Sequence, residues 1–233
     1  PPTVNERYAQ GVHHGTAQYE LGDASLDPER SMGLESTVRY RGSSVHIDAA
    51  VYRNLIDGFI YLQPTQPIIT IRGAFPGYRY AQTEARLSGL ELTTSWTPHA
   101  RWQLLASGTL VRGHDRVNDG PLYDMPADRL SLSTRVMGSR TQLGSWFVGA
   151  GTQMVRRQDG VPAGTIYTLP TAGYALMQVE AGTSGLRVGP RRFDVSLSVN
   201  NALDTRYRDY LSRYRLFVND AGRDVVLRVT MPL

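Results

Sequence analysis

The chain has 233 residues and no cysteine, which excludes disulfides and thiolate metal ligands, so any metal must bind through imidazole nitrogen or oxygen. Its length suits one domain of the barrel or sandwich type, or two small domains. The 25 basic and 21 acidic residues give a net charge of +4, and no dense Lys/Arg run indicates a nucleic-acid surface.

The first predicted element is a long polar loop over residues 9–30, which contains GVHHGTAQYELGDASLDPER. Zinc prefers imidazole nitrogen and carboxylate oxygen in tetrahedral sets. The loop offers four such groups as a candidate metal site: His13, His14, Glu20 and Asp23. Neighbouring side chains of an extended chain point to opposite sides, so both histidines reach one ion only if the chain turns between Gly11 and Gly15. The alternative is a solvated surface loop.

After residue 30, apolar and polar residues alternate with a period of two, which is typical of strands with one apolar and one polar face. In RRFDVSLSVNN, for example, Val195, Leu197 and Val199 share one face, and Asp194 and Ser196 lie on the other. No amphipathic helix longer than a turn or two is predicted. The pattern predicts about nine strands, over residues 31–41, 44–56, 78–97, 101–113, 128–138, 141–157, 171–182, 191–201 and 223–233.

The predicted connections alternate in length along the chain. The short ones cover residues 41–44, 97–100, 138–140 and 183–190. The long ones are rich in Gly, Pro and Asp and cover residues 9–30, 58–78, 113–127, 157–171 and 202–222. Outer-membrane β-barrels have short periplasmic turns and long extracellular loops, so this alternation predicts a transmembrane antiparallel β-barrel with the long loops outside.

A soluble β-sandwich also alternates apolar and polar residues, and three features favour the barrel. Several predicted strands exceed ten residues, which is longer than usual. Trp96, Trp102, Trp146 and Tyr40 lie beside the short connections, where an interfacial aromatic girdle is expected. The polar faces carry charged residues at mid-strand, which suits a wet lumen. A mean hydropathy of −0.32 does not exclude the barrel, because only every second residue meets lipid.

Four segments resemble the C-terminal β-barrel part of TonB-dependent outer-membrane receptors: PPTVNERYAQG…GDASLDPERS, AAVYRNLIDGFIYLQP, GLELTTSWTP and NALDTRYRDYLSRYR. The resemblance covers essentially the whole chain. The first segment, with its histidine pair, is most similar to the zinc-uptake branch. Leu233 stands where the family usually has a terminal aromatic residue.

The resemblance implies an all-β fold in the outer membrane of a Gram-negative bacterium. Residues 1–233 would supply about nine strands, as the C-terminal part of a 22-stranded barrel. The plug domain, the N-terminal strands, the TonB-contacting segment and a signal peptide would be absent. Six polar residues would face the lumen and bind the plug, or simply be solvated there: Glu35, Arg39, Arg129, Arg135, Asp194 and Arg228.

The function implied is energised uptake of a metal ion, with zinc favoured, or of a metal complex. The alternatives are a siderophore-iron or haem receptor and a passive structural or adhesive barrel. The expected partners are the TonB energy-coupling complex, the plug domain, lipopolysaccharide and other outer-membrane lipid, and the metal or its chelate, with no nucleic acid. Zinc would be a transported ligand and not an intrinsic cofactor. No G-x-S-x-G or H-E-x-x-H motif indicates an enzyme.

Three other residues have simpler expected roles. Glu29, in LDPERS, is expected to order the chain where it enters the first long strand. His114 lies near the outer end of its predicted strand, where it could join an external site. His46 is expected to be an ordinary polar residue of the lumen face near the periplasmic end.

Overall fold

The computed structural model describes residues 1–140, 144–164 and 166–231. Its only regular helices in these ranges are α1 (Val4–Tyr8) and a short 3-10 helix (Ile166–Thr168). The strands are β1 (Gln10–His13), β2 (Gln18–Leu21), β3 (Arg30–Arg41), β4 (Val45–Pro64), β5 (Ile68–Thr70), β6 (Gly73–Phe75), β7 (Gly77–His99), β8 (Trp102–Asp115), β9 (Gly120–Pro121), β10 (Arg129–Arg140), β11 (Gly144–Val155), β12 (Tyr174–Val188), β13 (Arg191–Asn200) and β14 (Asp224–Thr230).

Nine long strands within the described residues form an antiparallel meander in the order β3-β4-β7-β8-β10-β11-β12-β13-β14. The predicted strand set is therefore confirmed, and with β1, β2 and β9 it belongs to one 12-stranded sheet that forms a partial barrel. The long connections lie at one end of the sheet and the short ones at the other. No helix in the described ranges is long and apolar enough to cross a membrane.

The strand register sorts side chains onto two faces. On the outer face, Val51 lies opposite Leu90, and Leu90 lies opposite Leu110 on the next strand. These side chains are exposed, as is Leu34 with 78% of its surface accessible. Exposed apolar side chains in such continuous rows are typical of a lipid-facing surface. Trp102 lies on this face at the end with the short connections, where the sequence predicts the aromatic girdle.

Two strands, β4 and β12, extend well beyond their predicted ends because each contains a bulge. In β4 the register shifts between Ile56 and Phe59, around Gly58 with φ +68°. The Glu29 carboxylate accepts a hydrogen bond from the Ile60 backbone N–H at 2.7 Å just past this bulge, which matches the structural role expected of Glu29. The bulge lets β4 continue to Pro64, so the predicted end at residue 56 was wrong.

The second bulge lies in β12, which was predicted to end at residue 182 and runs to Val188. The register shifts between Thr183 and Leu186, and Gly185 takes φ +78°. The Asp194 carboxylate accepts hydrogen bonds from the Ser184 hydroxyl and the Gly185 N–H, each at 2.8 Å. Asp194 is therefore held at the bulge.

The long connections contain regular structure that the sequence pattern did not predict. The segment 9–30 carries the β1–β2 hairpin, and β2 runs parallel to the start of β7. The segment 58–78 carries the β5–β6 hairpin, and β9 pairs with the end of β8. Each of these strands has four residues or fewer, too short for a period of two to be recognised. They fold back over the sheet end and bring the loop tips together.

Candidate functional site

The tips of the long connections enclose a cavity of about 220 Å³. β2, the outer ends of β4 and β7, and the connections 113–127, 157–171 and 202–222 all contribute to its wall. Its polar lining consists mainly of Gln18, Tyr78, Tyr123, Asp124, Arg213 and Arg215, with apolar contacts from Leu62, Pro64, Pro76 and Phe217. We call this space the loop cavity. Six segments of the chain meet there, which is typical of a binding site built on a rigid scaffold.

Two arginines give the loop cavity its charge. Arg213 donates from Nη1 to the side-chain oxygen of Gln18 at 3.0 Å, across 195 residues of sequence. Arg215 donates from Nη2 to the Tyr167 carbonyl at 2.5 Å, and its guanidinium lies 4.5 Å from the centre of the Tyr210 ring. These contacts hold both guanidiniums at the cavity wall.

Arg215 also retains a free donor. Its Nε is buried and has no hydrogen-bond partner in the described part of the chain. A buried donor without a partner costs about 1–3 kcal/mol, so such groups are uncommon; the Nε of Arg7 is a second one in the described residues. Arg215 lines the loop cavity, so its guanidinium places positive charge at the wall although the Nε atom itself is closed off from solvent.

Aromatic rings complete the wall of the loop cavity. Tyr78 packs against Tyr167 with ring centres 5.8 Å apart, and Tyr123 stacks on Tyr61 at 5.4 Å. Burial raises the pKa of the Tyr123 and Tyr210 phenols, so both keep their protons at neutral pH. Asp124 supplies one carboxylate to the lining and Arg213 and Arg215 supply two guanidiniums, which leaves the cavity wall with a net positive charge. The site therefore suits an anionic ligand with oxygen acceptors.

The arginine-bearing connection is tied to the barrel through Asp209. The Asp209 carboxylate accepts hydrogen bonds from the Arg129 guanidinium at 2.5 Å and the Tyr174 hydroxyl at 2.7 Å. The Tyr174 ring also packs 4.4 Å from Tyr207. Arg129, predicted to face the lumen, thus binds an acidic residue of the loop. We call the Arg129–Asp209–Tyr174 contact the loop anchor.

The predicted metal ligands His13 and Glu20 lie on the same face of the β1–β2 hairpin, because His13 is opposite Gln18 and Gly11 is opposite Glu20. The expected turn is present: the Thr16 N–H donates to the His13 carbonyl at 3.1 Å. The left-handed residue of this turn is Ala17, with φ +50°, and not one of the glycines.

Three of the four predicted ligands are close to hydrogen-bonding groups of neighbouring residues, and the fourth, His14, is exposed. His13 Nδ1 lies 3.2 Å from the Thr16 hydroxyl, and His14 is exposed in the turn. Glu20 is buried and accepts a hydrogen bond from the Tyr80 hydroxyl at 3.3 Å. Asp23 caps Ser25, whose hydroxyl and backbone N–H hydrogen bonds lower the pKa of the Asp23 carboxyl.

In residues 1–140, 144–164 and 166–231, no three or more His, Asp or Glu side chains are grouped closely enough to hold a metal ion. The four predicted ligands therefore do not form a preformed cluster in this conformation. Zinc binding by these residues stays a prediction, since it would require the hairpin to rearrange.

The remaining predicted lumen residues have neighbours on adjacent strands. Arg135 binds Glu180 at 2.6 Å and lies over the Phe147 ring, while Arg39 lies 3.6 Å from Asp48. Glu35 accepts a hydrogen bond from Thr37, Asp194 caps the β12 bulge, and Arg228 lies opposite Ser196. Their binding to a plug domain stays a prediction.

Two further histidines, His114 and His46, lie away from the β1–β2 hairpin. His114 Nε2 lies 3.2 Å from the Asp119 carboxylate, beside β9 and outside the loop cavity. His46 lies 3.5 Å from the Ser95 hydroxyl on the polar face, near the short connections. Neither residue adds a ligand to the β1–β2 hairpin.

Residues 1–202 match the family model described as the β-barrel of TonB dependent receptor-like proteins. The chain belongs to this family. TonB-dependent receptor barrels reside in the outer membrane of Gram-negative bacteria and act as receptors and transporters. The match confirms the family predicted from the sequence; it does not distinguish the zinc-uptake branch within the family.

Solved TonB-dependent receptors share this fold. The copper transporter OprC superposes with a TM-score of 0.74 at 20% identity, over 88% of this chain and 32% of its own. The FrpB iron transporter from Neisseria meningitidis (F3-3 variant) superposes with a TM-score of 0.65 at 16% identity, over 90% of this chain and 31% of its own. The siderophore receptor PirA from Acinetobacter baumannii superposes with a TM-score of 0.64 at 14% identity, over 91% of this chain and 33% of its own. The present chain therefore spans about a third of these structures.

Sequence reasoning missed the arginines and tyrosines of the loop cavity. The alternating RYRDYLSRYR, residues 206–215, was noted only as part of the family resemblance. The high content of arginine and tyrosine in this predicted extracellular loop is the feature of the sequence that could have indicated a binding site there. The partners Gln18, Tyr78 and Tyr167 carried no such signal, because only the fold brings them to the same place.

Proposed function

We propose that the full receptor captures a metal as an anionic, oxygen-rich complex in the loop cavity and then imports it. The observation that carries this proposal is the pair Arg213 and Arg215, which line the loop cavity together with tyrosine rings. Guanidinium groups bind carboxylate and other anionic oxygens through short, charge-assisted hydrogen bonds. Neutral phenols add donors without changing the charge of the site.

The size and lining of the loop cavity support a compact ligand. Its volume of about 220 Å³ lies below the range of about 300–1,000 Å³ for sites of drug-sized molecules. A small metal chelate, or one arm of a larger chelate, fits this volume. The two guanidiniums and the phenols of the cavity wall suit the oxygens of a chelate that already surrounds its metal.

Import would follow the energised route of the family. The TonB energy-coupling complex would act on a plug domain inside the completed barrel, and the plug would move when the loop cavity is filled. The six lumen residues Glu35, Arg39, Arg129, Arg135, Asp194 and Arg228 would bind that plug through hydrogen bonds and ion pairs. The copper, iron and siderophore specificities named for the solved receptors are compatible with metal uptake by this receptor.

The experiment that tests the proposal locates the metal in the full-length receptor. Ferric citrate, a ferric tris-catecholate and a ferric tris-hydroxamate serve as probes, and anomalous scattering reports the iron position. We expect at least one probe to place iron in the loop cavity.

Capture of a bare zinc ion by the β1–β2 hairpin is the second candidate, favoured by the shared face of His13 and Glu20. If the hairpin binds zinc, changing His13 and His14 together to alanine should weaken zinc binding by at least about tenfold, since two imidazole ligands are lost. Zinc titration of the full-length receptor measures this. The matched control is His46→Ala with His99→Ala, which removes two histidines at the other end of the sheet. Equal zinc affinity in the His13/His14 variant and the control would exclude the hairpin as a zinc site.

A further inference from the structure

The outer face of the sheet carries a row of arginines above its apolar band. Arg53 and Arg112 lie on either side of Ser88, each directly opposite it in the ladder. Arg86 lies on the same face of β7, and Arg156 follows the outward-facing Met154 at the end of β11. We call these four residues the outer arginine row. An arginine on a lipid-facing surface is costly within the hydrocarbon and much less so at the interface, so its position along the membrane normal decides whether it is tolerated.

The height of the row matches the edge of a bilayer. Arg112 follows Trp102 by ten positions along β8, and Arg156, just after β11, follows Trp146 by ten positions. At about 3.4 Å per residue and a strand tilt of about 40°, this distance corresponds to about 25 Å along the membrane normal. That is the height of the apolar band of outer-membrane barrels. With the tryptophans at one interface, the arginines lie among the headgroups of the other.

The row is organised around one carboxylate. Asp128 binds Arg112 through both oxygens at 2.5 and 2.8 Å and lies 3.7 Å from Arg156. Asp128 is mostly buried, whereas the Arg112 and Arg156 side chains are 57% and 71% exposed. Asp128 therefore fixes two guanidiniums side by side and leaves most of their surface open to the outer face. Four cations against this single carboxylate leave the row with a positive charge.

Other charges nearby lie further from the apolar band. Arg116 binds Glu84 at 3.5 Å and Asp57 at 3.9 Å, beyond Arg86 along the strands. His114 pairs with Asp119 in the same outer region. Together with Asp119, these carboxylates outnumber the cations, so this outermost region has a net negative charge. It lies further from the apolar band than Arg112 and Arg156, whose only carboxylate partner among the described ion pairs is Asp128.

We propose that the outer arginine row binds the phosphates of a phosphorylated lipid headgroup in the outer leaflet. Arg112 and Arg156 would bind the phosphate, while the acyl chains lie on the apolar band formed by residues such as Leu110, Leu130 and Met154. Guanidinium is the side-chain group best suited to bidentate phosphate binding. The site is separate from the loop cavity, so it does not depend on the transported ligand.

The test measures lipid binding to the purified full-length receptor by native mass spectrometry. Diphosphorylated lipid A is the probe, and lipid A with both phosphates removed is its matched control. Changing Arg112 and Arg156 together to glutamine should weaken binding of diphosphorylated lipid A by about 25-fold, at about fivefold for each arginine near an anionic lipid surface. The dephosphorylated lipid should bind both proteins weakly and equally.

Two further variants separate charge from folding and position. Arg112→Lys with Arg156→Lys keeps both charges but loses the bidentate geometry, so it should bind diphosphorylated lipid A more tightly than the glutamine variant and less tightly than the wild type. Arg101→Gln with Arg187→Gln removes two exposed arginines near the short connections, at the opposite end of the sheet, and should leave lipid A binding unchanged. Heat-modifiable electrophoretic mobility verifies that each barrel is folded.

Three results would overturn the proposal. The first is a folded Arg112/Arg156 glutamine variant that binds diphosphorylated lipid A as tightly as the wild type. The second is equal affinity of the wild type for the phosphorylated and dephosphorylated lipids. The third is full displacement of lipid A by an equimolar amount of inorganic phosphate, which would assign the site to free phosphate instead of a lipid.

Discussion

Changing Arg213 and Arg215 together to glutamine should reduce the affinity of the full-length receptor for its anionic metal complex by at least about 100-fold. Each guanidinium can donate hydrogen bonds to a charged group, worth about 1.5–3 kcal/mol apiece, and 1.4 kcal/mol corresponds to a factor of ten. Glutamine retains a donor of smaller reach but removes the positive charge of the loop cavity. Binding of the iron-chelate probes, followed by titration calorimetry, measures the loss.

The matched control for this variant uses one arginine of the same connection and one directly after it. Arg206 and Arg223 are both exposed and neither lines the loop cavity. Changing both to glutamine makes the same change in net charge, so the long-range attraction of an anion to the loops falls equally. We expect this control to lose no more than about threefold in affinity. A similar loss in control and test variants would mean that the loop cavity does not hold the complex.

Asp209→Asn should release the 202–222 connection from the barrel without unfolding the strands. The Asp209 carboxylate accepts hydrogen bonds from Arg129, from Tyr174 and, at 2.9 Å, from the Leu211 backbone N–H. The amide loses the ion pair and leaves Arg129 half-buried without its charge partner. We expect a cost of about 1–3 kcal/mol in the stability of the loop anchor. The open form of the loop would therefore become roughly 5–150 times more populated.

Limited trypsin digestion measures this opening, because cleavage follows the population of the open form when opening and closing are fast. The connection carries cleavable bonds after Arg206, Arg208, Arg213 and Arg215. Cleavage there should accelerate in the Asp209 variant, while the strands stay protected. Asp159→Asn is the matched control, since Asp159 is an exposed carboxylate of the neighbouring connection. An unchanged digestion rate in the Asp209 variant would show that the anchor does not restrain the loop.

The strands were predictable because each face of the sheet meets a different environment. Leu90 and Leu92 face outward and Glu91 faces the lumen, so the chemistry of these residues reveals the period of two. The prediction failed at Gly58 and Gly185, where a bulge lets the strand continue beyond a glycine. In a sequence, a glycine at a bulge cannot be distinguished from a glycine in a turn. Only the pairing with the neighbouring strand shows that the strand continues.

The candidate site was much less predictable than the sheet. The adjacent histidines predicted a zinc site because zinc ligands are often close together in sequence and can be recognised over a few residues. Arg213 and Gln18 meet across almost the entire chain, and nothing in either local segment indicates the other. Glu20, predicted as a zinc ligand, has the Tyr80 hydroxyl as its partner, which no spacing rule could reveal.

The central claim is that this receptor takes its metal as a complex, held by Arg213 and Arg215. The most direct measurement is the iron position in crystals of the full-length receptor loaded with ferric citrate, the ferric tris-catecholate or the ferric tris-hydroxamate. The account predicts an anomalous peak in the loop cavity, with chelate oxygens bound to both arginines. Iron bound only outside this cavity with every probe, or a bare zinc ion bound between His13 and Glu20 with the cavity empty, would contradict it.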